Sequence, residues 1–162
     1  AVLPIIRITN KSPKKQTCHG CFFFFIGQNI RVIIKNIAPD GKITLSHKEL
    51  LGTWAENAAL FSPGQTVTGV VRSVEDYGIF VELTPNLAGL AEPCDNASAG
   101  KQASVYIKSI IPEKMKIKLI IIDSFEGGYV PQIKYFQSGD RLESWDYSPD
   151  NCFKHISTKF CG

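Results

Sequence analysis

The sequence predicts an all-β protein with one complete five-stranded barrel, over about residues 63–123. Short stretches of alternating apolar and polar residues, separated by glycine, proline and aspartate turns, are typical of strands. One hairpin pattern occurs twice, and three further predicted strands precede its second copy. The first copy is preceded only by residues 1–25, which are too short for three strands and their loops. The chain should therefore hold one barrel and the closing part of another.

The stretch 63–93 predicts the first three strands of the complete barrel. Val67 to Val74 is followed by an acidic turn and by a second apolar stretch that contains Gly78. A glycine inside a strand marks a bulge or a close backbone approach. A bulge at Gly78 would turn Tyr77 and Phe80 to the same side. Two readings stay open: both rings form an exposed stacking platform for unpaired bases, or one ring fills the core.

The hairpin repeat rests on ten matched positions in order. Seven positions recur after 73 residues, and three more recur after a one-residue insertion in the turn. Generic strand patterning does not explain ten ordered matches with the only gap in a loop. The pairs are Gly27 with Gly100, Val32 with Val105, Ile34 with Ile107, Lys35 with Lys108, Ile37 with Ile110, Pro39 with Pro112, Asp40 with Glu113, Lys42 with Lys116, Ile43 with Ile117 and Leu45 with Leu119.

A helix is predicted between the two units, because Ser46 and Glu49 have the spacing of a capping box. The helix would run towards Phe61, with Gly52 as a weak point, and would end at Pro63. Four segments follow: residues 1–48 as the closing portion of a first repeat, 49–62 as a linker helix, 63–123 as the complete barrel, and 124–162 as an aromatic-rich extension.

The extension predicts a further hairpin, with strands at 133–136 and 141–147 around a turn at 138–140. It carries four aromatic side chains, for which core packing and an oligomer contact are both open: Trp145, Tyr147, Phe153 and Phe160. An incomplete first repeat exposes an edge and part of its core. We therefore expect residues 1–48 to lean on the barrel, on the C-terminal hairpin or on another chain.

The charge distribution favours local contacts with phosphates. Net charge is +3, with basic and acidic blocks in alternation. Residues 1–48 carry +7, 49–100 carry −6, 101–122 carry +4 and 123–162 carry −2. The plainer reading is that lysine is common on solvated strand faces.

The five cysteines indicate a reducing cytoplasm, because an odd count at irregular spacing does not form a disulfide framework. Cys18 and Cys21 have metal-ligand spacing, but a structural zinc site needs a second pair. We therefore expect free thiols and no metal or other cofactor. None of His19, His47 and His155 lies in a catalytic motif, which argues against an enzyme. No secretory signal and no membrane-spanning run are expected.

The stretch GQTVTGVVRSVEDYGIFVELTPNLAGLAEP, followed by the hairpin at 104–121, resembles the S-one RNA-binding domain family, named after bacterial ribosomal protein S-one. The stretch IGQNIRVIIKNIAPDGKITLSHKEL resembles the closing hairpin of a preceding repeat. The resemblance covers roughly residues 26–123. It implies an OB-fold barrel of five strands, one of several in tandem, in a bacterial cytoplasmic protein.

The resemblance also implies a non-catalytic protein that binds single-stranded RNA in translation or RNA metabolism, with the ribosome or RNA-processing proteins as further partners. The family's stacking aromatics fall on Tyr77 and Phe80, and its basic residue after the last turn falls on Lys116, with Lys42 in the earlier repeat. Lys118, Lys108 and Arg72 are further candidates for phosphate contacts. Glu92 stands where the family often has a histidine. The alternative is a degenerate repeat that acts as a protein-interaction or spacer module.

Overall fold

The computed structural model describes residues 5–7, 27, 29–127, 133–137 and 141–160. A 3-10 helix at Lys48–Leu51, an α-helix α1 at Trp54–Ala58 and a second 3-10 helix at Pro112–Lys114 interrupt the strands. The strands are β1 Ile5–Arg7, β2 Asn29–Arg31, β3 Ile33–Ile37, β4 Ile43–Ser46, β5 Thr66–Glu75, β6 Gly78–Thr84, β7 Leu87–Ala91, β8 Gln102–Ile111, β9 Lys116–Phe125, β10 Ser144–Asp146 and β11 Ser157–Lys159.

Five of these strands close into a barrel in the order β5-β6-β7-β9-β8, which confirms the predicted fold class. All neighbouring pairs are antiparallel except β7 and β9, which run parallel. Alternate apolar residues point inward, as the period of two in a strand requires. The buried barrel residues are Val71, Ile79, Val81, Leu83, Leu87, Ala91, Ala103, Val105, Ile107, Ile117 and Leu119, with Trp54 and Ala58 of α1 packed against them.

The first hairpin, β3–β4, has the same pairing register as β8–β9. Ile34 lies opposite Leu45 and Ile37 opposite Ile43, as their repeat counterparts do in the barrel. Both hairpins also shift register at the same lysine, between Ile34 and Asn36 in one and between Ile107 and Ser109 in the other. The shared position of this bulge is a backbone feature, and it is therefore evidence separate from the shared pattern of side chains. The repeat predicted from sequence is therefore a structural repeat.

The linker differs from the predicted helix. Gly52 has a φ of 87° and separates the 3-10 helix from α1. Ser46 donates to the Glu49 carboxylate without capping a helix. The capping box is formed instead by Thr53 and Glu56: Thr53 Oγ1 accepts from the Glu56 N–H at 3.2 Å, and Glu56 Oε2 accepts from the Thr53 N–H at 2.7 Å. The left-handed glycine ends the first turn, so the helix has to restart.

The predicted C-terminal hairpin was wrong in its partners. Residues 133–137 form no strand, and β10 pairs with β11 instead. Trp145 and Phe160 are buried around Ile33 of the first hairpin, which decides the open question in favour of packing for these two rings. Phe153, by contrast, is 88% exposed. The first hairpin thus leans on the C-terminal extension, one of the three supports expected for it.

The predicted pair of Cys18 and Cys21, and His19 between them, lie outside the described residues. None of the helices among the described residues has the length and hydrophobicity needed to span a bilayer.

Candidate nucleic-acid interface

A row of outward-facing side chains crosses the barrel, and we call it the outer row: Ser73, Phe80, Leu90, Lys118 and Ser109. Each of these residues lies opposite the next on the neighbouring strand. The residues adjacent to the middle three along their strands are buried: Ile79, Ala91 and Leu119. Because successive strand residues point to opposite faces, the outer row points away from the core. An aromatic ring, an aliphatic side chain and an amine are therefore aligned on one surface.

Tyr77 lies beside this row. A two-residue turn of Asp76 and Tyr77 joins β5 to β6, closed by Glu75 opposite Gly78. The Tyr77 side chain is 70% exposed, and Phe80 is half-buried. Their ring centroids are 6.1 Å apart with an angle of 83° between the planes, an edge-to-face pair. The two rings together form one aromatic surface at the end of the hairpin.

The expected bulge at Gly78 was wrong. Gly78 pairs regularly with Glu75, and the register shift of this hairpin falls at Arg72, between Val71 and Ser73. Gly78 instead permits a close approach of β7. A Cβ at Gly78 would lie 2.7 Å from the Ala91 carbonyl oxygen and 2.8 Å from Leu90 Cδ1, distances that no side chain tolerates. The glycine thus brings β7 close to the base of the aromatic turn.

Lys116 and Lys118 add positive charge to the same surface. They are two residues apart on β9, so their side chains leave the strand on the same side, and both are exposed. Lys118 belongs to the outer row. Within the described residues, neither amine makes an ion pair. Each can therefore meet a phosphate as a point charge.

Arg72 and Lys108 are engaged with carboxylates. The Arg72 guanidinium donates through Nε and Nη2 to Glu82 Oε2. Burial raises the pKa of Glu82 while the Arg72 hydrogen bond opposes that rise. Lys108 Nζ lies 3.6 Å from Glu92 Oε1, in an exposed pair that contributes little stability. Both cations are thus balanced by acidic neighbours, Arg72 the more tightly.

Lys42 lies apart from these residues, in the turn of the first hairpin. Its side chain is exposed, and its N–H donates to Asp40 Oδ1 at 3.1 Å. Although Lys42 is the repeat counterpart of Lys116, the barrel does not bring it to the outer row. Of the seven predicted binding residues, the structure places Phe80 and Lys118 in the outer row, Tyr77 beside Phe80, and Lys116 two residues from Lys118 on β9.

Leu90 and the two serines of the outer row were not among the binding residues predicted from the sequence, and neither was Glu82 as the partner of Arg72. Alternation along β6 contained the signal for Glu82, because a residue two positions from Phe80 shares its face. The serines could not be found this way, since the strand order and register are needed to place them.

The contacts of His47 are those of a residue that supports the fold. It is half-buried, its Nδ1 lies 2.7 Å from the Arg31 carbonyl oxygen, and its ring meets Tyr135 edge-on at 5.6 Å. Burial lowers the pKa of His47, so the ring is neutral near pH 7. The thiols described, Cys94 and Cys152, are free. In the described segments, no three side chains of the kinds that bind metal ions form a group.

The chain is similar to curated ribosomal proteins. It is 28% identical over 142 residues to small ribosomal subunit protein bS1 of Chlamydia muridarum, across 79% of this chain and 25% of that protein. It is 33% identical over 109 residues to bS1 of Staphylococcus aureus strain COL, across 59% and 28%. The resemblance to S-one proteins is confirmed. This S-one-like chain spans about a quarter of the length of these curated relatives.

Solved structures also match parts of the S-one-like chain. An uncharacterised protein of Methanocaldococcus jannaschii is 30% identical, covering 36% of this chain and 89% of its own, with a TM-score of 0.34. A multidomain protein with nucleic acid binding domains from Streptococcus pneumoniae is 16% identical, covering 61% and 36%, with a TM-score of 0.31. No protein family model matches the chain.

Proposed function

We propose that the barrel binds single-stranded RNA on the outer row. Bases stack on Tyr77 and Phe80, and phosphates contact Lys116 and Lys118. One observation carries this proposal: the register aligns Phe80, Leu90 and Lys118 across three strands, next to the exposed Tyr77 ring. The confirmed similarity to bS1 supports it, because those relatives are named as ribosomal proteins.

The energetics of such a site divide into two parts. Stacking on an aromatic ring contributes about 1–3 kcal/mol per base and is tolerant of sequence, because every base has a π-face. Lysine contacts add an attraction that weakens with salt, since binding releases counterions from the RNA. With two rings and two unpaired lysines, affinity should be moderate, salt-dependent and weakly selective. Ser73 and Ser109 at the ends of the row can donate hydrogen bonds to the backbone.

The proposal assigns the binding unit to residues 63–123, with segments 1–48, 49–62 and 124–162 supporting it. Lys42 would contact RNA only if the bound RNA extends from the barrel to the first hairpin. A role in translation or RNA metabolism, on or near the ribosome in the bacterial cytoplasm, follows from the same similarity.

Fluorescence anisotropy with a labelled single-stranded RNA, at two salt concentrations, tests this function. The double variant Tyr77→Ala/Phe80→Ala should bind at least tenfold more weakly at both salts, because about 1.4 kcal/mol of lost stacking is a factor of ten. The variant Lys116→Ala/Lys118→Ala should lose affinity mainly at low salt and show a shallower salt dependence.

Phe125→Ala and Lys159→Ala are the matched controls. Phe125 is an exposed ring at the opposite end of β9, and Lys159 lies on β11, outside the barrel. Both should bind RNA like the natural sequence. Unchanged binding in the Tyr77/Phe80 double variant, or no binding at low salt, would refute the proposed site.

A separate observation favours a second candidate function. Glu82 and Glu92 balance two of the cations that an RNA-binding face would use, Arg72 and Lys108. A repeat with compensated charge suits a protein-interaction or spacer module. Cosedimentation with purified small ribosomal subunits separates the two functions: association that persists in the Tyr77/Phe80 double variant favours the protein contact.

A further inference from the structure

The first hairpin exposes the residues that form the core in the second copy. Ile37, Ile43 and Leu45 are 61%, 54% and 43% exposed. Their counterparts close the barrel interior: Ile117 and Leu119 are 1% and 2% exposed, and Ile110 packs against the core. Since the two hairpins share one register and one bulge, these side chains point to equivalent sides. The hairpin thus carries the counterparts of three barrel-core residues with no cover among the described residues.

Strand pairing shows which barrel strands have equivalents among the described residues of the first unit. Ile5, Ile6 and Arg7 of β1 pair with Arg31, Ile30 and Asn29. The repeat counterparts of β2 pair in the same order with Thr68, Gly69 and Val70 of β5. β1 therefore stands in the place of β5.

The other edge of this unit is β4, the counterpart of β9. In the barrel, β9 pairs with β7 through Lys118 and Leu119. Within the described residues, β4 pairs only with β3. The described unit thus has equivalents of β5, β8 and β9 and none of β6 and β7.

We propose that this open face is an acceptor for a polypeptide hairpin of the β6–β7 kind. The second strand of the hairpin would run parallel to β4 beside Thr44 and Leu45, the counterparts of Lys118 and Leu119. Its inward residues would be aliphatic, to cover Ile37, Ile43 and Leu45. The occupant is a β-hairpin because the exposed edge offers backbone groups and the exposed face offers alternate apolar side chains.

The complete barrel adds one requirement on the occupant. A Cβ at Gly89 of β7 would lie 2.5 Å from Leu119 Cδ1. Leu45 is the counterpart of Leu119, so the occupying strand needs glycine where it crosses Leu45. The hairpin spanning residues 76–93 of this same chain meets this requirement and serves as the probe. This inference is independent of RNA binding.

The first experiment adds a labelled peptide of residues 76–93 to the full chain. Binding should saturate and should slow amide exchange at Ile43–Ser46 at least tenfold. Leu45→Lys in the protein, or Gly89→Val in the peptide, should abolish it. Ile122→Lys is the matched control, because Ile122 is similarly exposed but lies on the complete barrel; this variant should bind the peptide normally.

A chimera provides a second measurement that does not need association. Residues 71–101 replace residues 8–28, joining Arg7 to Asn29 at the positions that the register equates with Val70 and Gln102. Amide exchange at Ile43–Ser46 should then approach the rate at Ile117–Ile120. A folded chimera without this protection, together with no Leu45-dependent peptide binding, overturns the proposal. A dimer of the natural chain that Leu45→Lys dissociates would also overturn it, because a second copy would be the occupant.

Discussion

Arg72 and Glu82 form an ion pair between neighbouring strands on the outer side of the barrel. Glu82 is two residues from Phe80 on the same strand, and Arg72 occupies the bulge of the strand beside it. The bulge matters because it re-aims the Arg72 side chain towards β6. Arg72, the most buried cation near the proposed RNA site, is therefore already bound by a carboxylate of the protein.

Releasing Arg72 should strengthen RNA binding. Glu82→Gln removes the negative charge and keeps a hydrogen-bond acceptor for the guanidinium. We expect affinity for single-stranded RNA to rise about 3- to 10-fold at low salt, with a steeper salt dependence equivalent to about one additional phosphate contact. Fluorescence anisotropy across a salt series measures both. Glu143→Gln makes the same change in net charge outside the barrel, and an equal gain in that variant would show that only net charge matters.

The same carboxylate should make stability depend on pH. Burial raises the pKa of Glu82 above the ordinary value of 4.5, so the folded protein holds this proton more tightly than the unfolded chain. Stability from this group is therefore present below the unfolded pKa and declines as pH rises from about 4.5 through the raised folded pKa.

Urea unfolding at several pH values, compared with Glu82→Gln, isolates this contribution. The variant should gain stability relative to the natural sequence as pH rises through that window. A difference that stays constant with pH would mean that Arg72 fully offsets the burial of the carboxylate.

Gly78→Ala should destabilise the barrel by about 1–3 kcal/mol, because overpacking forces backbone shifts. The added Cβ would meet the Ala91 carbonyl oxygen and Leu90. Gly100→Ala is the matched control: Gly100 has a φ of +92° but no atom within 4 Å of an added Cβ. Chemical denaturation should rank Gly78→Ala as the more damaging. If Gly100→Ala were the more destabilising variant, backbone conformation would matter more than steric contact at these two glycines.

The fold was largely predictable because its signals are local. Alternation and the turn at Asp76 placed the strands of 63–93, and the repeat of Ile37, Ile43 and Leu45 as Ile110, Ile117 and Leu119 identified the closing hairpin. A shared face for Tyr77 and Phe80 was one of the two readings that the sequence left open. Its assumed cause was wrong, because the turn itself brings the rings together without a bulge at Gly78.

The remaining features depend on contacts between distant segments. No local pattern distinguishes Ser46 from Thr53 as the capping residue; the φ of Gly52 decides it. β10 pairs with β11 and not with the predicted partner at 133–136, and Trp145 of β10 packs against Ile33 of the first hairpin. The engagement of Arg72 by Glu82 likewise requires the strand register. These are tertiary effects that sequence periodicity does not encode.

Tyr147 joins three parts of the molecule. Its carbonyl oxygen accepts from the Trp54 N–H at 2.9 Å, its hydroxyl donates to the Asn86 carbonyl oxygen at 2.6 Å, and its N–H donates to the Ile156 carbonyl oxygen at 2.8 Å. The C-terminal extension therefore acts as a splint between the linker and the barrel. An RNA strand that spans both hairpins would therefore contact two lysines, Lys42 and Lys116, that are held at a constant separation.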